Sequence, residues 1–327
     1  MEKIYIAVLS GGPSSEHEVS LKSGEMVKDG LDKERYEPIP VRIFKNGTWE
    51  LDARDIRKNA AGVFIAMHGT YGEDGTVQSI LETHGIPYTG SDSYASALGM
   101  NKFLSLRLFR DGGLSVPATI LLTQREWRKD FHAIEKRVIQ EIGFPLVVKP
   151  NNQGSSVGVH IVRKKEELRE ALAHTLGFYR EVLAQEFIEG REFTCGVLDH
   201  GWTESAFPLL PTEIVPRASE FFDYKAKYEE GGSMEITPPE NLSSHDVKNI
   251  RGSALSAHIL IGASGFSRTD MIMDKKGTVY VLEINTIPGL TKESLIPKEA
   301  AASGMSFAKL LDTIVDSGFT RWRKKNS

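Results

Sequence analysis

Apolar runs and amphipathic stripes alternate along the first hundred residues. "IYIAVLS" (4–10) is an almost unbroken apolar run, as a strand buried on both faces requires. The polar "GGPSSEHEVSLKSGEMVKDGL" (11–31) turns into a helix, with Ser15 and Glu18 spaced as a capping box. "AGVFIAMHG" (61–69) reads as a second strand, "GTVQSILETHG" (75–85) as a helix and "IPYTG" (86–90) as a short strand. Such alternation predicts a parallel sheet with helices on its faces, an α/β unit.

From about Asn101 the pattern changes to α+β. "NKFLSLRLFRDGGL" (101–114) is helical, and "EIGFPLVVKP" (141–150) ends in a strand. "VGVHIVR" (157–163) and "EVLAQEFI" (181–188) are strands on either side of a helix that carries Leu168, Ala171, Leu172 and Leu176 at helical spacing. "SRTDMIMDKKGTVYVLEIN" (267–285) is a hairpin with Lys276-Gly277 in its turn, and "MSFAKLLDTIVDSG" (305–318) is an amphipathic closing helix. Residues 215–240 show no periodicity. Four aromatics within eight residues there are costly to leave in water, so the stretch reads as a lid rather than a disordered loop.

Composition narrows the classes. A chain of 327 residues suits two or three domains, and 40 basic against 44 acidic residues give no support for a nucleic-acid partner. The lone cysteine, Cys195, permits neither an internal disulfide nor a thiolate metal cage, so a reducing cytosol is expected. "MEKIYIAVLSGG" reads as a first strand rather than a signal peptide, and no stretch is long enough to span a membrane.

Two segments carry candidate chemistry. In "LVVKPNNQGSSVGVHIV" (146–162) Lys149 precedes a glycine-serine loop, and a strand follows it. Walker and dinucleotide loops both open a helix, so neither fits. A strand–loop–strand flap over phosphates fits, and so does an ordinary polar hairpin turn. In the later hairpin, Arg268 and Asp270 are two apart, as are Glu283 and Asn285, which puts each pair on one strand face. A turn centred on Lys275-Lys276 sets Arg268 opposite Glu283 and Asp270 opposite Val281, so that Asp270, Glu283 and Asn285 converge. Three oxygen donors suit Mg²⁺, whereas a solvated Arg–Glu cross-strand pair explains neither the Asn nor the "NTIPGL" turn that follows.

The order of flap, "EVLAQEFIEGREF", lysine-tyrosine lid, "RTD" and "EINTIPGLTKESL" resembles the ATP-grasp enzymes. "GGPSSEHEVSL", "HGTYGEDGT" and "PYTGSDSYASALGMNK" narrow the likeness, over essentially the whole chain, to the D-alanine–D-alanine ligase family. The resemblance implies an ATP-grasp fold of three parts: an N-terminal α/β domain (1–98), a central part with the flap (99–184) and a C-terminal part with the lid and metal site (185–327). ATP would lie between two antiparallel sheets.

By the same resemblance Lys102, Lys149, Ser156 and Lys227 would contact ATP phosphates, Glu186 and Ile188 the adenine, and Glu192 the ribose. Gln185 stands where the family often has Glu, which puts the adenine amino contact in doubt. Asp270, Glu283 and Asn285 would hold two Mg²⁺ ions, with Mn²⁺ able to substitute. Glu16, Ser155 and Tyr228 look like a hydrogen-bonded triad linking N-terminal domain, flap and lid, with Glu16 near the first substrate's ammonium. Val19, His68 and Glu73 would adjoin that first substrate, and Ser294 and Leu295 would receive the second. Arg268 and the Gly289 N–H would stabilise the tetrahedral oxyanion.

The activity implied is ATP-dependent ligation of two D-alanine molecules through an acyl phosphate, for peptidoglycan precursors, by a homodimer. "YKAKY", with Lys227 and Tyr228, argues against a D-lactate-using branch that lacks this pair. A regulator without chemistry would usually lack a metal ligand or the arginine, and all are present.

Overall fold

The protein is described by a computed structural model covering residues 2–154, 158–201, 205–216, 233–325 and 327. Its first strand, β1 (Ile4–Gly11), is buried from Ile6 to Leu9 because parallel neighbours flank it on both edges. These are β2 (Tyr36–Ile43) and β3 (Gly62–Ile65), in the order β2-β1-β3. Tyr88 of "IPYTG" makes only a single parallel bridge to Val63, so the expected short strand is reduced to one residue.

Helix α1 (His17–Gly30) covers this sheet with His17, Ser20, Gly24 and Val27, one helical face. The Ser15–Glu18 capping box does not form. The helix begins one residue later than that box requires, with Glu16 as its N-cap residue and no side-chain cap, and the Ser14 hydroxyl accepts the Glu16 N–H (3.2 Å) and donates to His68 O (2.7 Å). Glu18 instead faces solvent opposite Lys45. Helices α2 (Ala53–Asn59), α3 (Thr76–Thr83), α4 (Ser93–Met100) and α5 (Lys102–Asp111) follow.

The central sheet is antiparallel, in the order β4 (Thr119–Thr123), β7 (Glu181–Glu186), β5 (Leu146–Pro150), β6 (His160–Val162). Leu146, Val148, Val182 and Ala184 point to one side, into a core shared with α7 (Phe131–Glu141) and α8 (Lys165–Phe178). The helix α6 (Gln124–Lys129) closes the end with a Thr123–Glu126 capping box. Leu168, Ala171, Leu172 and Leu176 of α8 are all buried, as their spacing implied. The alternate residues Val147, Lys149 and Gln185 line the opposite face.

The large sheet runs β11 (Ser233–Ile236), β10 (Thr212–Pro216), β8 (Gly190–Leu198), β12 (Phe266–Asp274), β13 (Val279–Asn285), with β9 (Phe207–Pro208) on β8. Phe193, Cys195, Met271 and Val281 pack behind it against α5 and α9 (Ser244–Ile261). Burial raises the Cys195 thiol well above its ordinary pKa, which makes it an inert core residue. The ends of the expected lid are strands: Pro216 pairs with Ser233, and residues 217–232 lie outside the described part. The last helices, α10 (Leu295–Ala302) and α11 (Phe307–Lys325), return to the N-terminal core, where Leu310, Leu311 and Ile314 join Ile6 and Leu9. No helix among the described residues is long and apolar enough to cross a membrane.

Candidate active site

A cleft of about 1800 Å³ separates the central sheet, the large sheet and the N-terminal loops. The hairpin β12–β13 forms its floor. The expected register is off: Arg268 pairs with Asn285 and Asp270 with Glu283. Two local causes account for this. The turn is longer than two residues, since Asp274 N bonds Thr278 O and the Asp274 carboxylate accepts from Lys276 N and Thr278 N, with Gly277 at φ 83°. A β-bulge at Leu282 then adds one residue. Val279 and Val281 face the core before the bulge and Ile284 faces it afterwards, so the bulge is what turns Glu283 and Asn285 toward the cleft.

The result is a compact polar face. Arg268 donates from Nε and Nη2 to the two oxygens of Asp270, both at 2.8 Å, and Thr194 Oγ1 donates to Asp270 Oδ1 at 2.7 Å. Burial disfavours the guanidinium charge, but Asp270 outweighs it and the Arg268 pKa is raised. Asn285 Oδ1 accepts the Ile287 N–H at 2.8 Å, which sets the direction of the "NTIPGL" turn. Each acceptor oxygen retains lone pairs, so a hard dication fits Asp270, Glu283 and Asn285. Among the described residues no three His, Cys, Asp or Glu cluster as a metal site, so this one would depend on Asn285 as its third donor.

Two lysines stand opposite. Lys102, 7 % exposed, reaches Gln153 O (2.6 Å) and Glu283 Oε2 (3.1 Å). It is placed by Asn101 and Asn151: Asn151 Oδ1 accepts the Phe103 N–H at 2.9 Å, and Asn151 Nδ2 bonds Asn101 Oδ1 at 3.1 Å. Lys149 opens part of its surface to the cleft, yet the walls strip most of its hydration. Desolvation and the neighbouring Lys102 lower its pKa to about 8, against the attraction of Glu283 and Asp270.

The N-terminal residues close the third side. The Glu16 carboxylate lies beside Gly69 and Gly154, where added Cβ atoms would come within 2.8 and 3.5 Å of its Oε2, so it adjoins the root of the glycine loop. His68 is buried with both ring nitrogens engaged, by Ser23 Oγ (2.7 Å) and Ile287 O (3.0 Å), and Glu73 stands 3.6 Å away. Burial works against its protonation, but Glu73 and Glu16 raise its pKa. His68 thus pins the 285–289 turn from the N-terminal side. Val19, Glu186, Ile188, Glu192, Gly289, Ser294 and Leu295 also line the cleft. Gln185 is buried and donates to Thr119 Oγ1 at 2.9 Å, whereas the Ser294 hydroxyl bonds Thr291 rather than capping α10. Ser155, Ser156, Lys227 and Tyr228 lie outside the described residues.

Sequence reasoning missed Thr194, Asn151 and Glu299. Glu299 is fully buried, and burial pushes its pKa up to about 8 against the Gly196 N–H and Arg268. Its helical spacing from Ile296, on an otherwise apolar face of α10, was a readable signal.

The family profile described as "D-ala D-ala ligase C-terminus" matches residues 108–316, and that of the "D-ala D-ala ligase N-terminus" matches 5–62 and 50–91. The D-alanine–D-alanine ligase of Syntrophobacter fumaroxidans is 42 % identical over 96 % of this chain and 97 % of its own length. Among solved structures, a D-Ala:D-Ser ligase from Enterococcus faecalis superposes with a TM-score of 0.86 at 31 % identity, covering 97 % of this chain and 100 % of that one. A D-alanine–D-alanine ligase from Bacillus anthracis complexed with ATP gives 0.81 at 33 % identity, covering 98 % and 99 %. Two antiparallel sheets facing across a lysine- and carboxylate-lined cleft agree with the ATP-grasp fold. The chain therefore belongs to the D-alanine–D-alanine ligase family.

Proposed function

We propose that this chain joins two D-alanine molecules with ATP, releasing ADP and phosphate and yielding the dipeptide used in peptidoglycan precursors. The observation that carries this reading is the in-register Arg268, Asp270, Glu283 and Asn285 face set across one cleft from Lys102 and Lys149. The carboxylate of the first D-alanine attacks the γ-phosphorus, a P–O bond forms, and the bond to ADP breaks. The amine of the second attacks the carbonyl carbon, a C–N bond forms, and phosphate leaves.

The first step needs positioning and charge neutralisation more than covalent help. Lys102, Lys149 and Lys227 meet the phosphates, Ser156 covers them, and Gln185, Glu186, Ile188 and Glu192 take the adenosine. Asp270, Glu283 and Asn285 would hold Mg²⁺, which when bound supplies charge neutralisation at the phosphate oxygens. Glu16 takes the first ammonium beside Val19, His68 and Glu73, and with Ser155 and Tyr228 forms the triad that links N-terminal domain, flap and lid. Ser294 and Leu295 receive the second amino acid. In the second step Arg268 and the Gly289 N–H face the oxyanion. The same reading carries a homodimer, a cytosolic setting and the three-part division 1–98, 99–184 and 185–327, supported by the family likeness.

Phosphate release measured with D-alanine, D-serine, D-lactate and L-alanine tests the proposal. Turnover is expected with D-alanine alone, and its absence would remove the reading. D-Serine belongs in the panel because of the Enterococcus structure.

Lys149 gives a pH prediction. With its pKa lowered from 10.5 to about 8, it loses its proton in the free enzyme as pH rises through about 8. The kcat/KM for ATP should then fall about tenfold per pH unit beyond that point. A profile flat to pH ~9.5 contradicts the assignment. Stability moves oppositely: between about 8 and 10.5 the unfolded chain binds the extra proton, so stability rises with pH there.

A further inference from the structure

On the central sheet Thr119, Gln185 and Val147 stand side by side, on β4, β7 and β5. Gln185 lines the cleft, and it is a primary amide. An amide is ambivalent toward a base. One end donates and the other accepts, so the end that faces the cleft decides what it can pair with.

The neighbouring hydroxyl sets that direction. Thr119 Oγ1 lies 2.9 Å from Pro117 O and 2.9 Å from the Gln185 amide. A carbonyl oxygen only accepts, so the single hydroxyl proton goes to Pro117 O. Lone pairs are what Thr119 Oγ1 then offers to Gln185, and the group facing them is the NH₂ end. Turning the amide over would set Oε1 against a hydroxyl with no proton to give, or strip buried Pro117 of its donor. Either outcome leaves an acceptor unsatisfied, which is costly. Gln185 Oε1 is the free end. It takes no hydrogen bond among the described residues, and it is not one of the sealed, unpartnered oxygens of the core.

We propose that Thr119 is a specificity-determining residue acting through Gln185: it holds Oε1 toward the nucleotide base, so the site selects a purine carrying a 6-amino donor over one carrying a 6-oxo acceptor. A 6-oxo base would bring two acceptors face to face with no proton between them. Glutamate at this position would present an acceptor in either orientation, whereas Gln185 does so only because Thr119 orients it. The inference rests on the reading that places the adenosine at Gln185.

Inosine triphosphate is the probe, because it replaces the 6-amino group of ATP by an oxo group and adds no 2-amino group. In the full chain kcat/KM with ATP should exceed that with ITP by at least about tenfold. Thr119→Val keeps the shape but removes the hydroxyl, which frees the amide to turn over. ATP use should fall, ITP use should rise, and the ratio should shrink by at least about fivefold. Thr119→Ser should keep the wild-type ratio. In a Gln185→Glu background, Thr119→Val should move the ratio by less than about twofold, since both ends of that side chain accept. Equal use of ATP and ITP by the wild-type chain, a ratio unmoved by Thr119→Val, or an equal shift in both backgrounds overturns the proposal. Should the Val variant not fold, Thr119→Ala carries the same comparison. Calorimetric binding of ADP and IDP separates the two readings: ADP selectivity that Thr119→Val relaxes, without D-alanine-dependent turnover, would keep this assignment and remove the ligation reading.

Discussion

Arg268→Gln is expected to cut kcat about a hundred- to a thousandfold while leaving the KM for ATP within about threefold. The expectation follows from where the guanidinium sits. Its Nε and Nη2 hold Asp270, and Arg268 lines the same cleft as Gly289 and Ser294. Charge on the carbonyl oxygen exists only during the second step, so losing the donor should raise that barrier and spare nucleotide binding. Glutamine can still donate to Asp270, which limits the damage to folding. Arg268→Lys separates charge from geometry: it keeps a cation but loses the planar fork, and it should be nearly as impaired. A variant that loses ATP affinity in proportion to turnover would mark Arg268 as a nucleotide ligand instead. Rapid-quench measurement of acyl-phosphate formation and product release distinguishes the two.

What could be read ahead of the structure divides along a physical line. Strands and helices set by long apolar runs, such as Ile6–Leu9 and the Leu168–Leu176 stripe, were legible because burial forces the pattern. The metal face was legible only in its membership. Its register depended on one extra residue in the Asp274–Thr278 turn and one at Leu282, and neither leaves a mark in hydrophobicity, since Leu282 looks like any strand residue. Helix α1 failed at its cap because it starts with Glu16 as N-cap, one residue past Ser15, while Ser14 is tied to His68. Glu299 escaped because a charged residue within a short helix defaults to the surface. Only the absence of a side chain at Gly196, across the sheet, shows that a pocket awaits it.

Glu283→Gln should lower kcat/KM by about a thousandfold, corresponding to ~4 kcal/mol of lost charge stabilisation. The substitution preserves shape but removes one charge that serves two purposes. Glu283 faces Lys102 at 3.1 Å and stands beside Asp270 on the cleft side of the bulge, where the donors for a dication converge. Weakened Mn²⁺ binding in the presence of ADP, read by electron paramagnetic resonance, is the expected signature of the second purpose. Normal Mn²⁺ affinity in the variant would confine Glu283 to holding Lys102. The electrostatics add an independent check, because Glu283 is the leading influence keeping a proton on Lys149. Without that carboxylate the Lys149 pKa must drop further below about 8, and the alkaline fall in kcat/KM for ATP should begin at lower pH than in the wild-type chain. A shift toward higher pH would mean that the two sheets do not act on the same phosphates.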